Sequence, residues 1–210
     1  FAQAREKARA ASCMSNMRQL GLGLQMYFSD YDDTIFFFGH NVDRSRVNPA
    51  AALGANASNR WWNQIFPYTA NDKALLICPS DSGKKPNGAD GKPRSYVANR
   101  AAESLTLAQV ERPADIVVVT EKGVPFDDSW FEPPKNLYNK PGFGEPVLAL
   151  TRHTGGVNAT FFDGHAKWMS KGQGVSDPCG LPWSGVDLMR QYPLPLPDPG
   201  RTPWHQNCQN

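Results

Sequence analysis

The sequence predicts an α+β fold in which a long N-terminal helix is followed by an antiparallel sheet. Three observations carry this. No proline and no β-branched residue interrupts the first thirty positions, which are dominated by good helix formers. The run Asp115-Ile116-Val117-Val118-Val119-Thr120 is β-branched and apolar, as a strand covered on both faces should be. Asp163-Gly164 divides two strand-like runs, Val157–Phe162 and His165–Met169, and so predicts a hairpin turn with both residues at positive φ.

The helix is expected over residues 1–34. Its apolar positions, Ala10, Cys13, Met17, Leu20, Leu24, Tyr27, Phe28 and Tyr31, recur in steps of three and four and share one face. Gly21 and Gly23 each cost such a helix about 1 kcal/mol relative to Ala, so packing must compensate there. Residues 35–169 form the expected globular head. Within it Trp61–Tyr68 reads as a short helix and Ser104–Val110 as a helix or turn. Cys78-Pro79-Ser80-Asp81 reads as a turn, residues 82–93 as an exposed loop, and Val147–Leu150 as a further strand. Residues 170–210 are rich in proline and glycine and predict an extended arm with long loops rather than sheet interior.

At 210 residues the chain can bury a real core, and a net charge of +2 makes no case for nucleic acid. Its longest apolar runs fall short of the roughly 18 residues that a bilayer span requires. Four cysteines without C-x-x-C spacing favour disulfides over a zinc ribbon and fit an oxidising compartment. Of the three possible pairings, location favours Cys13 with Cys78 and Cys179 with Cys208.

Several separated motifs together resemble bacterial type IV pilin-like proteins. They are Ala4–Arg9 with Ser12–Asn16 and Gln19–Leu22, then Tyr27–Asp32 and Cys78–Asp81. Last comes His153, nine residues, and Asp163-Gly164, continued by His165 and Trp168. This is the H-x(9)-D-G signature of one pseudopilin-like subgroup, and the resemblance spans residues 1–169. It implies a long helix packed on an antiparallel sheet, in a subunit that self-assembles into an extracellular filament or tube. Such proteins carry a prepilin-like leader and an apolar helical segment; the resemblance implies that the leader and most of that segment are missing ahead of Phe1, through truncation or through cleavage near Phe1. The resemblance thus implies membrane contact only through a missing N-terminal segment before assembly. Phe1, Met17, Leu20, Leu24 and Tyr27 belong to the assembly helix, with Phe1–Arg9 and the C-terminal arm expected to reach neighbouring copies.

Each of the other candidate sites also has a plainer structural explanation. Asp30, Asp32 and Asp33 crowd the helix C-terminus, where the macrodipole disfavours anions; they suggest a calcium site or, more simply, a solvated helix stop. No cofactor is expected beyond calcium at these three acids. His153, Asp163 and His165 have metal-ligand chemistry, yet the Asp-Gly turn has a local explanation, and register-setting hydrogen bonds are preferred. Asn56 opens a glycosylation sequon in a loop, and Asn158 another in a strand. No serine sits in Gly-x-Ser-x-Gly, and the chain is not expected to be an enzyme. The alternatives are a minor pseudopilin of a type II secretion-like system and a surface glycan-binding module using Trp61, Trp62, Trp130 and Trp183. Phe36-Phe37-Phe38 is a candidate intersubunit contact.

Overall fold

The computed structural model describes residues 2–35, 61–81, 94–99, 102, 105–110, 112–123, 130–131, 148–149 and 152–170. Ala2–Asp30 is one continuous helix, α1. It stops there because Asp32 and Asp33 take left-handed φ values of 50° and 55°, a conformation that a short polar side chain tolerates. The Asp33 N–H then donates to the Phe28 carbonyl at 2.9 Å, the six-to-one bond that closes many helices. Trp61–Ile65 forms α2, which runs into a 3₁₀ turn at Phe66–Thr69; a second 3₁₀ turn covers Lys73–Leu76.

The strands are β1 (Tyr96–Asn99), β2 (Val117–Glu121), β3 (Trp130–Phe131), β4 (Gly156–Phe161) and β5 (Ala166–Ser170). They form one sheet in the order β3-β1-β2-β4-β5, with β1/β2, β2/β4 and β4/β5 antiparallel. The short β3 pairs parallel with β1, because the chain reverses through β2 before returning to the free edge of β1. Every residue of β1, β2 and β4 is buried, so the centre of the sheet is covered on both faces. Of the expected strand Val147–Leu150 only residues 148–149 are described, and Leu148 forms an isolated bridge with Lys122. β1 lacks the β-branched density of β2 and was not legible in advance.

One face of α1 lies on β4, β5, α2 and the 3₁₀ turns. Its buried residues are Cys13, Met17, Leu20, Gly21, Gly23, Leu24, Tyr27 and Phe28. They join Trp61, Trp62, Tyr96, Ala98, Val118 and Phe162 in one apolar core. Met17, Leu20, Leu24 and Tyr27, expected to serve assembly, are at most 4% exposed and are spent on this internal packing. Trp61 and Trp62 are fully buried and hence cannot present a glycan platform.

The β4–β5 turn differs from the expected form. Only Gly164 has positive φ (86°), not Asp163. The Gly164 N–H donates to the Phe161 carbonyl at 2.9 Å, and the Phe161 N–H donates to the His165 carbonyl at 2.8 Å. This is a three-residue loop ending in a left-handed glycine, not a two-residue turn. The turn sits directly beneath the helix. A Cβ on Gly21 would run into the Gly164 carbonyl, and one on Gly164 would run into the Gln25 side chain. Gln25 Nε2 donates to the Phe162 carbonyl at 3.1 Å, and the Phe28 and Phe162 rings stack at 5.3 Å. Gly23 allows a similar approach by Thr69. Both mid-helix glycines therefore exist for close packing.

Gly21→Ala should destabilise the protein by about 1–3 kcal/mol despite alanine's better helix propensity, because the obstacle is backbone. Leu22→Ala, at a position 64% exposed, should stay within about 0.5 kcal/mol of wild type. Urea denaturation of the two variants provides the check.

Candidate functional site

Four segments far apart in sequence converge at the end of the sheet opposite the β4–β5 turn. Cys13 comes from the apolar face of α1 and Cys78 from the segment just after the second 3₁₀ turn. They form a disulfide across a sequence separation of 65, with Cα atoms 5.0 Å apart. Glu121 ends β2, and His153 lies in the turn that enters β4. His153 Nε2 is 3.6 Å from Cys78 Sγ and 2.7 Å from Glu121 Oε1. The His153 and Glu121 side chains are 1% and 0% exposed.

The local fold explains these positions. The His153 N–H donates to the Gly156 carbonyl at 3.0 Å, and Thr154 and Gly155 take φ values of 57° and 85° to turn the chain into β4. From β5, Trp168 Nε1 donates to the His153 carbonyl at 2.9 Å. The neighbouring Arg152 donates to the Lys122 carbonyl at 2.6 Å and pairs with Asp81 at 3.3 Å, which ties the Cys78–Asp81 turn to the same corner. That turn is closed by the Asp81 N–H donating to the Cys78 carbonyl at 2.9 Å.

A buried carboxylate needs donors, because leaving it unpaired costs several kcal/mol. Glu121 has two: the imidazole at Oε1 and the Asn158 backbone N–H at Oε2, 2.9 Å away. An ionised carboxylate only accepts, which assigns a proton to His153 Nε2. Among the described residues, His153 Nδ1 is buried without a hydrogen-bond partner and faces Glu6 Oε1 at 3.4 Å. Glu6 is the first residue of α1 to reach the head, and the Ser80 hydroxyl donates to it at 2.7 Å. Asn16 Nδ2 donates to the Ile77 carbonyl at 2.8 Å and approaches the Tyr96 hydroxyl at 3.4 Å.

The remaining sequence candidates are dispersed. Asp163 and His165 lie at the other end of β4 from His153, so the three do not form a ligand set. Asp163 Oδ1 instead accepts from the His165 N–H at 3.1 Å and pairs with its Nδ1 at 2.6 Å, within the turn. Asp30 accepts from the Tyr68 hydroxyl at 2.7 Å. Asp32 and Asp33 are exposed in the turn that ends the helix, and the three acids are not gathered around a common point. Asn158 is buried inside β4 and out of reach of glycosylation in the folded chain. Phe1, Phe36–Phe38, Asn56, Cys179, Trp183 and Cys208 lie outside the described residues, and Trp130 is described only as part of β3. Glu121, Glu6 and Arg152 were missed. The available signal was a lone carboxylate ending a strand whose other residues are all β-branched and uncharged.

The long helix packed on a mainly antiparallel sheet is a pilin-like α+β arrangement, and with its internal disulfide it is consistent with an exported protein. Residues 2–68 match the profile of a family described as "Protein of unknown function (DUF1559)", and the chain is similar to that family over this region. No curated protein and no solved structure matches. No described helix is long and apolar enough to cross a membrane.

His153→Ala would leave Glu121 buried without its imidazole and should cost about 3–5 kcal/mol. A paired Glu121→Gln and His153→Gln variant should lose less than the two single changes summed, as equilibrium unfolding would show. A second expectation concerns alkaline pH. Burial pushes the Tyr27 and Tyr96 phenols well above their ordinary value of 10.0; nearby Tyr31 and Glu121, respectively, add to the shift. The folded state thus keeps protons that the unfolded chain releases. The stability this supplies is complete below about pH 10 and lost as pH rises further. Urea midpoints should fall between about pH 9 and pH 11, less steeply when both tyrosines are phenylalanine.

Proposed function

We propose that this chain is a structural subunit of an exported filament or tube, built by repeating one contact between identical copies. The observation that carries this reading is the division of α1 into two faces. Its inner face is sealed within the head, whereas Leu22 and Met26, one turn apart on the outer face, are 64% and 46% exposed. Apart from the half-buried Glu6, residues 2–9 are exposed, and residues 2–5 run ahead of the head as a helical rod. Two large apolar side chains on water-facing helix surface suit burial against another copy. A contact between unlike surfaces of identical subunits propagates into a fibre when its rotation does not close.

The mechanism is assembly, with no catalysis. The disulfide and the buried ionic cluster hold the monomer rigid, so each subunit presents the same surface. A 65-residue separation corresponds to roughly 4 kcal/mol of stabilisation in the chain-entropy account. Location at the cell surface or beyond follows from the same reading.

Electron microscopy of the native material should show filaments with this chain as their repeating unit. Leu22→Glu and Met26→Glu should each leave the monomer's circular dichroism and melting unchanged while abolishing polymer. Filaments that persist in both variants, or native protein that stays monomeric at high concentration, would contradict the proposal.

A further inference from the structure

The convergence of Cys13, Cys78, Glu121 and His153 is a ligand set as well as a structural cluster. One potential ligand atom from each residue lies within 4.8 Å of all the others, and all four residues are buried. We infer that the dithiol form of this chain binds one Zn2+ through the two thiolates, His153 Nε2 and a Glu121 oxygen, so that metal and disulfide are alternative closures of one site. The inference is independent of filament assembly.

Three features support it. The donor chemistry is right: two sulfurs, one imidazole nitrogen and one carboxylate oxygen suit tetrahedral zinc. The spacing is close to right. Ligands at ~2.0–2.3 Å from a tetrahedral centre lie roughly 3.3–3.8 Å from one another, and Cys78 Sγ already sits 3.6 Å from His153 Nε2. Besides separation of the two sulfurs, binding requires the 2.7 Å His153–Glu121 contact to widen as the ion replaces the proton between them, and no other donor spacing starts beyond 4.8 Å.

The surrounding hydrogen bonds are the third feature. Zinc-bound histidines generally donate their second ring N–H to a carboxylate, which fixes the ring and raises its basicity. Here the buried Nδ1 has no hydrogen-bond partner among the described residues, and Glu6 Oε1 faces it at 3.4 Å, itself held by Ser80. With the metal on Nε2, the ring proton resides on Nδ1 and points at that carboxylate. Glu121 likewise keeps its outer oxygen on the Asn158 N–H. With a neutral imidazole in both states, the formal charge of the buried group is the same with a disulfide as with Zn2+ and two thiolates.

The chemistry balances. A dithiol reductant delivers two electrons and two protons to Cys13–Cys78 and becomes a disulfide itself. Zn2+ then displaces both thiol protons to solvent, while the imidazole proton moves from Nε2 to Nδ1. A disulfide oxidant takes the two electrons from the thiolates, and two protons from solvent, to become two thiols; the Cys13–Cys78 bond re-forms, two ligands are lost and the ion is released.

The test uses the full 210-residue chain with Cys179→Ser and Cys208→Ser, so that only the cluster's thiols remain. It is reduced anaerobically with a trialkylphosphine, which takes oxygen from water as it becomes the phosphine oxide, and is titrated with Co2+ and then Zn2+. The expected result is a single equivalent of Co2+ with thiolate charge-transfer absorption and the intense visible bands of tetrahedral cobalt, displaced by Zn2+. His153→Gln should abolish the tetrahedral spectrum. Glu6→Gln, a partly exposed residue whose loss should not unfold the chain, should weaken Zn2+ affinity about 10–100-fold at unchanged stoichiometry. Absence of a thiolate band in the reduced protein, whether it is folded or not, would overturn the inference. So would affinities unchanged by both substitutions.

Discussion

The buried pair of Glu121 and His153, pressed against the Cys13–Cys78 disulfide, is the constraint on which the rest of this structure depends. A carboxylate with no exposed surface is admissible only where donors are already in place. Those donors come from the turn before β4 and from the backbone of β4 itself. Because the disulfide shares the same corner, satisfying Glu121 also fixes where α1 meets the sheet. The helix is thereby fastened near Cys13 by a covalent bond and a polar cluster, both screened from water.

A second fastening lies two helical turns further along. Gly21 removes the side chain that would otherwise hold the helix off the β4–β5 turn, and Gly164 supplies the left-handed residue that lets that turn form. Between the two points, the Thr160 hydroxyl donates to the Met17 carbonyl at 2.9 Å, bringing β4 against the helix backbone. The spacing of His153 from Asp163-Gly164 acquires a physical meaning from this arrangement. The intervening residues are essentially β4, and the two ends of the motif serve the two points at which α1 is held. The inner face of α1 is wholly committed to this attachment. Any contact with other copies therefore falls to the outer face, where Leu22 and Met26 remain in water.

Much of this was legible in the residues. The helix followed from its composition and apolar spacing, β2 from its β-branched run, and the hairpin from the Asp-Gly pair between two strand-like stretches. The pairing of Cys13 with Cys78 followed from one lying on the helix's apolar face and the other after an apolar run. What stayed hidden was tertiary in origin. β1 reads Tyr-Val-Ala-Asn and has little strand character until its neighbours bury both faces. The turn looked like a two-residue loop because sequence does not reveal that pairing stops at Phe161 and His165. Glu121 gave no local sign of its partner, since a charge after an apolar strand ordinarily means that the strand has reached water. Trp61 and Trp62 misled in the opposite sense: adjacent tryptophans suggest a recognition surface, but both turn inward beneath α1.

Fastened at both points, α1 and the sheet should behave as one cooperative unit. Native-state hydrogen exchange of the oxidised protein, resolved by residue, tests this most directly. Amides of α1 from Cys13 to Phe28 should open only with the same free energy as those of β2 and β4, while those of the exposed leading turns exchange far faster. If the buried stretch of α1 opens at substantially lower free energy than the strands, the helix is a separable attachment and the account is wrong.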